Sequence, residues 1–104
     1  MGIRENKVET YLSDKVKEIG GLCYKWTSPG KPGVPDRIVI HEGNSYFVEI
    51  KTVDGRLSGQ QLREFTRLRD KGAEVFSLYG VEEVDEFIVR LQTGEWDTQD
   101  ANSK

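Results

Sequence analysis

With 104 residues and 36% hydrophobic content, the chain can build one domain around one core. A lone Cys23 excludes a disulfide framework and a zinc pattern, no apolar run approaches the ~18 residues of a membrane span, and the polar start is no signal peptide, so a cytoplasmic protein is expected. The net charge of −3 conceals 13 Lys+Arg against 11 Asp+Glu over residues 1–80 and 2 against 7 over residues 81–104, a mildly basic body that permits a nucleic-acid partner.

Residues 4–19 read as a helix, with Val8, Leu12, Val16 and Ile19 in one stripe and Gly20-Gly21 ending it. Leu22 to Thr27 reads as a strand. Ser28-Pro29-Gly30-Lys31-Pro32-Gly33 is a loop that cannot be a strand interior. Asp36 to His41 and Ser45 to Val53 read as two further strands. Gly43-Asn44 between them suits a two-residue hairpin turn. That turn would set Asp36 opposite Lys51 and Ile38 opposite Glu49. Opposed residues share a face, so Asp36, Glu49 and Lys51 would converge on one side.

A second helix is predicted from Gly59 to Lys71, with Ser58 as N-cap and Gln61 as its capping-box partner. Leu62, Phe65, Leu68 and Arg69 mark its expected face, and Gly72 closes it. Glu74 to Tyr79 is a fourth strand. Val81 to Leu91 is a third helix, with Val84, Phe87, Ile88 and Leu91 on one side and acids at its start. The order is α-β-β-β-α-β-α, an α/β (α+β) domain over residues 1–92. A polar tail over 93–104 follows.

The chemistry concentrates in Pro35-Asp36 and Glu49-Ile50-Lys51. Strand alternation turns Glu49 and Lys51 to the same face. Either motif alone is commonly a turn acid or a solvated strand face. Together, in register and among buried-type residues, they point to phosphodiester hydrolysis. Mg²⁺ prefers oxygen ligands, and Asp36 and Glu49 would supply them, with the carbonyl of Ile50 as a third oxygen. A bound Mg²⁺ or Mn²⁺ would acidify a water and polarise the phosphate. Lys51 could orient that water or stabilise developing negative charge. Lys25, Lys31 and Arg37 could hold phosphates near the site. Trp26 and Tyr24 are expected to pack in a core or a dimer contact, and His41 and Cys23 to be structural.

Pro35-Asp36 with Glu49-Ile50-Lys51 resembles the PD-(D/E)xK nuclease signature. Further blocks resemble the virus-type replication-repair nuclease (VRR-NUC) family: Glu9-Thr10-Tyr11-Leu12, Gly20-Gly21, Tyr24-Lys25-Trp26, Ser28-Pro29-Gly30, Gly33-Val34-Pro35-Asp36-Arg37-Ile38 and Leu57-Ser58-Gly59-Gln60-Gln61. The resemblance implies a restriction-endonuclease-like αβββαβ core, a central mixed sheet flanked by helices. It implies metal binding by Asp36 and Glu49 and catalysis by Lys51. It also implies a first-helix acid, matched by Glu9, and a second-helix glutamine, matched by Gln61. Glu5, one helical turn before Glu9, is the rival for the first role. Gly59 departs from the pattern, where proline is expected. Small stand-alone members are typically phage-encoded, so the resemblance implies a phage or bacterial host cytoplasm. Similarity to Holliday-junction resolvases implies a homodimer that cuts branched DNA in DNA repair or replication. The alternatives are a restriction-type nuclease that reads a base sequence, or a branched-DNA-binding module without catalysis.

Overall fold

Apolar spacing decides the helices, and the turns decide how the strands meet. The computed structural model describes residues 4–95. In chain order it holds α1 (Glu5–Glu18), β1 (Leu22–Lys25), β2 (Arg37–His41), β3 (Asn44–Lys51), α2 (Gly59–Asp70), β4 (Val75–Tyr79) and α3 (Val81–Thr93). This is the expected α+β order, with boundaries moved by one or two residues. Gly94 takes a left-handed conformation at the end of α3. Most of the expected polar tail, from residue 96 on, lies outside the described residues. No helix among the described residues is long and apolar enough to cross a membrane.

The four strands form one sheet in the order β1-β2-β3-β4. The first three are antiparallel to their neighbours, while β3 and β4 run parallel. A parallel pair needs a crossover, and α2 supplies it. Val8, Leu12 and Val16 of α1 and Val84, Phe87, Ile88 and Leu91 of α3 pack on one sheet face against Val39, Tyr46, Val48, Ile50 and Leu78. Strand alternation then turns Phe47, Glu49, Lys51 and Val75 to the other face, which α2 covers. Phe65 of α2 is fully buried there.

The hairpin between β2 and β3 differs from the expected register by two residues. The turn is Glu42-Gly43, not Gly43-Asn44, and His41 faces Asn44. Both turn residues have positive φ, 49° for Glu42 and 85° for Gly43, as a primed two-residue turn requires. Glycine occupies the second of the two positions, and Glu42 accepts the left-handed conformation at the first. Ile38 therefore opposes Phe47 instead of Glu49. Asp36, one step before the Arg37–Val48 pair, falls level with Glu49 and not with Lys51. The shift is even, so every side chain keeps its face.

The inner line of α2 also differs from expectation. Leu62 is 53% exposed, and the helix turns Gln61, Glu64, Phe65 and Leu68 inward instead. These positions follow the i, i+3, i+4, i+7 spacing of a single helical face. Ser58 caps the helix through a complete capping box with Gln61, as the sequence predicts.

Candidate active site

Three elements bring the acids together. Pro35 is buried and sets Asp36 at the entrance of β2. The Asp36 carboxylate accepts a hydrogen bond from the backbone N–H of Ile50, which ties β2 to β3 at this level. Burial and the charge of Glu9 push the Asp36 carboxyl upward. The Ile50 N–H, Lys51 and Arg37 oppose that rise.

Glu49 sits in the middle of the sheet and is only 2% exposed. Gln61 Nε2 donates to its Oε2 at 3.0 Å, and Lys51 Nζ lies 3.7 Å from the same oxygen. Its Oε1 is buried with no hydrogen-bond partner. Burial, then the Asp36 charge, raises the Glu49 carboxyl to about 7, despite the opposing effects of Lys51 and Gln61. A buried carboxylate oxygen without a donor is costly in water-free surroundings. A proton or a bound cation would relieve it.

One amide holds Gln61 to both α2 and β3. Its Oε1 accepts from the Ser58 N–H at 2.9 Å, and its backbone N–H donates to Ser58 Oγ at 3.1 Å. Its Nε2 remains for Glu49. Capping and the contact with Glu49 therefore coexist in one side chain.

From α1, carboxylate oxygens of Glu5 and Glu9 join one of Asp36, all within 4.8 Å of one another. Sequence position favours Glu9, and the structure brings both acids to Asp36. Arg37 donates from its Nη2 to Glu9 Oε1 at 3.0 Å, and its side chain is only 18% exposed. Arg37, which the sequence offers as a phosphate contact, is paired with Glu9 and turned towards α1. The reason is alternation: Arg37 shares its face with Val39, the face that α1 covers. Alternation along β2 was the available signal for this pairing.

Lys25 and Lys31 are exposed, the latter 3.9 Å from Glu64 Oε1. Ile50 buries its side chain in the core while its N–H serves Asp36. Trp26 packs against Phe47, with ring centroids 5.1 Å apart. His41 is buried, and burial raises the Cys23 thiol. Glu64, buried on α2, was not singled out by sequence reasoning, since nothing in its local pattern marks an inward acid.

Glu5, Glu9 and Asp36 thus cluster, with Arg37 on Glu9, while Glu49 with Lys51 beside it lies near enough to feel the charge of Asp36. The excess of negative charge, the oxygen-only donor set and the orphaned Glu49 Oε1 all suit a hard divalent cation.

No family model matches the chain. Over 77 residues it is 44% identical to "Putative nuclease p44" of Acyrthosiphon pisum secondary endosymbiont phage 1, covering 73% of this chain and 83% of that protein. A solved structure described as a VRR_NUC domain superposes with a TM-score of 0.76 at 34% identity, covering 82% of this chain and 94% of the other. A second, described as a VRR_NUC domain protein, gives a TM-score of 0.74 at 21% identity over 93% and 95% of the two chains, a likeness of fold.

Proposed function

Because the chain belongs to the VRR-NUC family, we propose that it is a metal-dependent, structure-selective DNA endonuclease that hydrolyses phosphodiester bonds in branched DNA such as four-way junctions. The observation that carries this reading is Glu49: a buried carboxylate beside Asp36 and Lys51, with one oxygen unsatisfied.

Asp36 and Glu49 are the residues that would hold Mg²⁺ or Mn²⁺, with Glu9 from α1 and the Ile50 carbonyl as further oxygen donors. A bound divalent ion supplies charge neutralisation at the phosphate and a more acidic water. The chain's own groups do the rest. Gln61 fixes one oxygen of Glu49 by hydrogen bonding, so that the other stays directed to the ligand. Arg37 holds Glu9 and offsets the acids gathered around it. Lys51 sits where an ammonium can orient the attacking water and stabilise negative charge growing on the phosphoryl oxygens. Water adds to phosphorus, the P–O bond to the leaving sugar oxygen breaks, and the products are a phosphate end and a hydroxyl end.

Branched DNA is the substrate that suits such an assembly: a homodimer would pair two such sites by a two-fold axis, matching the symmetry of a four-way junction. Lys25 and Lys31, both exposed, would contact phosphates beside the cut. The test is a cleavage panel over duplex, single strand, flap, splayed arm and four-way junction with Mg²⁺ or Mn²⁺. Junction cutting that is lost in Asp36→Ala and Lys51→Ala is expected. Cuts bounded by a base sequence would favour a restriction-type enzyme, and tight junction binding without any cutting would favour a non-catalytic module.

A further inference from the structure

The net charge hides a polarity across the sheet. Residues 52–71, which contain α2 and the segment leading into it, carry five Lys+Arg against three Asp+Glu. On the opposite face, α3 carries one against four. The cations on the α2 side are also displayed. Arg56 and Arg63 are exposed, and the side chains of Lys31 and Arg67 are 50% and 63% exposed.

A buried acid organises two of them. Glu64, 8% exposed, holds Lys31 Nζ at 3.9 Å and Arg67 Nε at 3.5 Å. One cation comes from the Pro/Gly loop and the other from α2, so a single carboxylate aligns two elements. The loop is seated firmly: a Cβ on Gly33 would lie 2.9 Å from the carbonyl oxygen of Gln60. Arg63 folds back over the first turn of α2, its Nη1 lying 3.4 Å from where a Cβ on Gly59 would sit. That turn contains no acid and carries Gln61, which touches Glu49. The basic row therefore begins at the candidate active site. Arg63 and Arg67, one turn apart, are separated by about 6 Å along the axis, roughly two ~3.4 Å steps of one DNA strand.

We propose that a duplex arm of the substrate lies along α2, its phosphates held by Lys31, Arg56, Arg63 and Arg67, with the acidic α3 turned away from the DNA. This placement rests on the nuclease reading above and adds to it the surface on which the substrate lies.

The experiment compares the full chain with Arg63→Glu/Arg67→Glu and, on the opposite layer, Lys17→Glu, an exposed α1 residue. Fluorescence anisotropy with a labelled four-way junction in chelator reads affinity across a salt series. Cleavage with Mg²⁺ reads KM and kcat separately. The double reversal should weaken binding by about tenfold or more and flatten the slope of log K against log salt by about two, one for each lost phosphate contact. KM should rise while kcat at saturation holds. Lys17→Glu should change binding less than about twofold. Arg63→Gln/Arg67→Gln, which places no new acid beside Glu64, should show the same slope change if the reversal fails to fold. An unchanged slope in the folded double variant, or an equal loss in Lys17→Glu, overturns the α2 placement while the nuclease reading stands. A wild-type chain that neither binds nor cuts any DNA overturns both.

Discussion

Replacing Glu49 by glutamine is expected to stabilise the metal-free protein at neutral and alkaline pH while abolishing cleavage. The side chain is 2% exposed, one oxygen has no donor, and Asp36 adds a like charge. A carboxyl that ordinarily titrates at 4.5 is pushed up to about 7. Between those pH values the unfolded chain has released a proton that the folded chain still keeps, so stability falls as pH rises. Below the lower value there is no penalty, and above about 7 the penalty is complete. At about 1.4 kcal/mol per pH unit, the span gives an upper bound of about 3.5 kcal/mol. Relaxation around the charged group brings the expected gain for Glu49→Gln to about 2 kcal/mol. In a domain of this size that is a rise in Tm on the order of 10 °C. The assay is thermal and urea unfolding of both proteins in chelator at about pH 8 and about pH 5. The gap should be large at the higher pH and small at the lower. Adding Mn²⁺ should raise the stability of the wild type and leave the variant unmoved. A variant no more stable than wild type at the higher pH, or a gap independent of pH, would refute the claim that Glu49 carries an uncompensated buried charge.

Arg37→Met should destabilise the fold by about 2–4 kcal/mol, because Glu9 then lies among Glu5 and Asp36 without a counter-charge; chemical denaturation measures it, and Arg37→Lys should recover part of the loss. Gln61→Ala and Ser58→Ala each break the capping box, at about 1 kcal/mol. Only Gln61→Ala also frees Glu49 Oε2, so cleavage should drop in that variant and persist in Ser58→Ala at similar stability. Gly33→Ala should lower Tm, since φ is +92° and its Cβ would meet the Gln60 carbonyl oxygen at 2.9 Å; the cost is at least about 1 kcal/mol, read by a thermal melt. Chelation of the wild-type protein should stop cleavage, and Mg²⁺ or Mn²⁺ should restore it in a gel assay.

The elements were legible because their periods are strong. Val8, Leu12 and Val16, or Val84, Phe87, Ile88 and Leu91, leave one reading of their helices. Tertiary pairing was less legible. Glu5 and Glu9 share a helix face, Glu9 being the match that the family resemblance implies, and only the approach of β2 shows that both reach Asp36. Glu64 looks like any helix acid until Lys31 and Arg67 are seen on either side of it. Leu62 follows the helical spacing of Phe65 and Arg69, yet the polar Gln61 takes the inner line because it has a partner there.

The hairpin shows why the site is insensitive to which two residues make the turn. A two-residue turn on Gly43-Asn44 and one on Glu42-Gly43 differ by two in the sum of opposed residue numbers. Side chains alternate with period two, so both put Asp36, Glu49 and Lys51 on one face and Tyr46, Val48 and Ile50 on the other. Hydrophobic patterning cannot choose between them, because each buries the same set. The choice falls to turn geometry, where glycine at the second positive-φ position carries Glu42 into the first. Only a shift by an odd number would have carried Glu49 to the α1–α3 face, among the apolar residues of the core. Strand parity therefore fixes which groups form the site, while the turn fixes which carboxylate stands level with which. In the observed register Asp36 stands level with Glu49, the closer pairing of two acids, and Lys51 lies further along β3 where it meets Glu49 from the side.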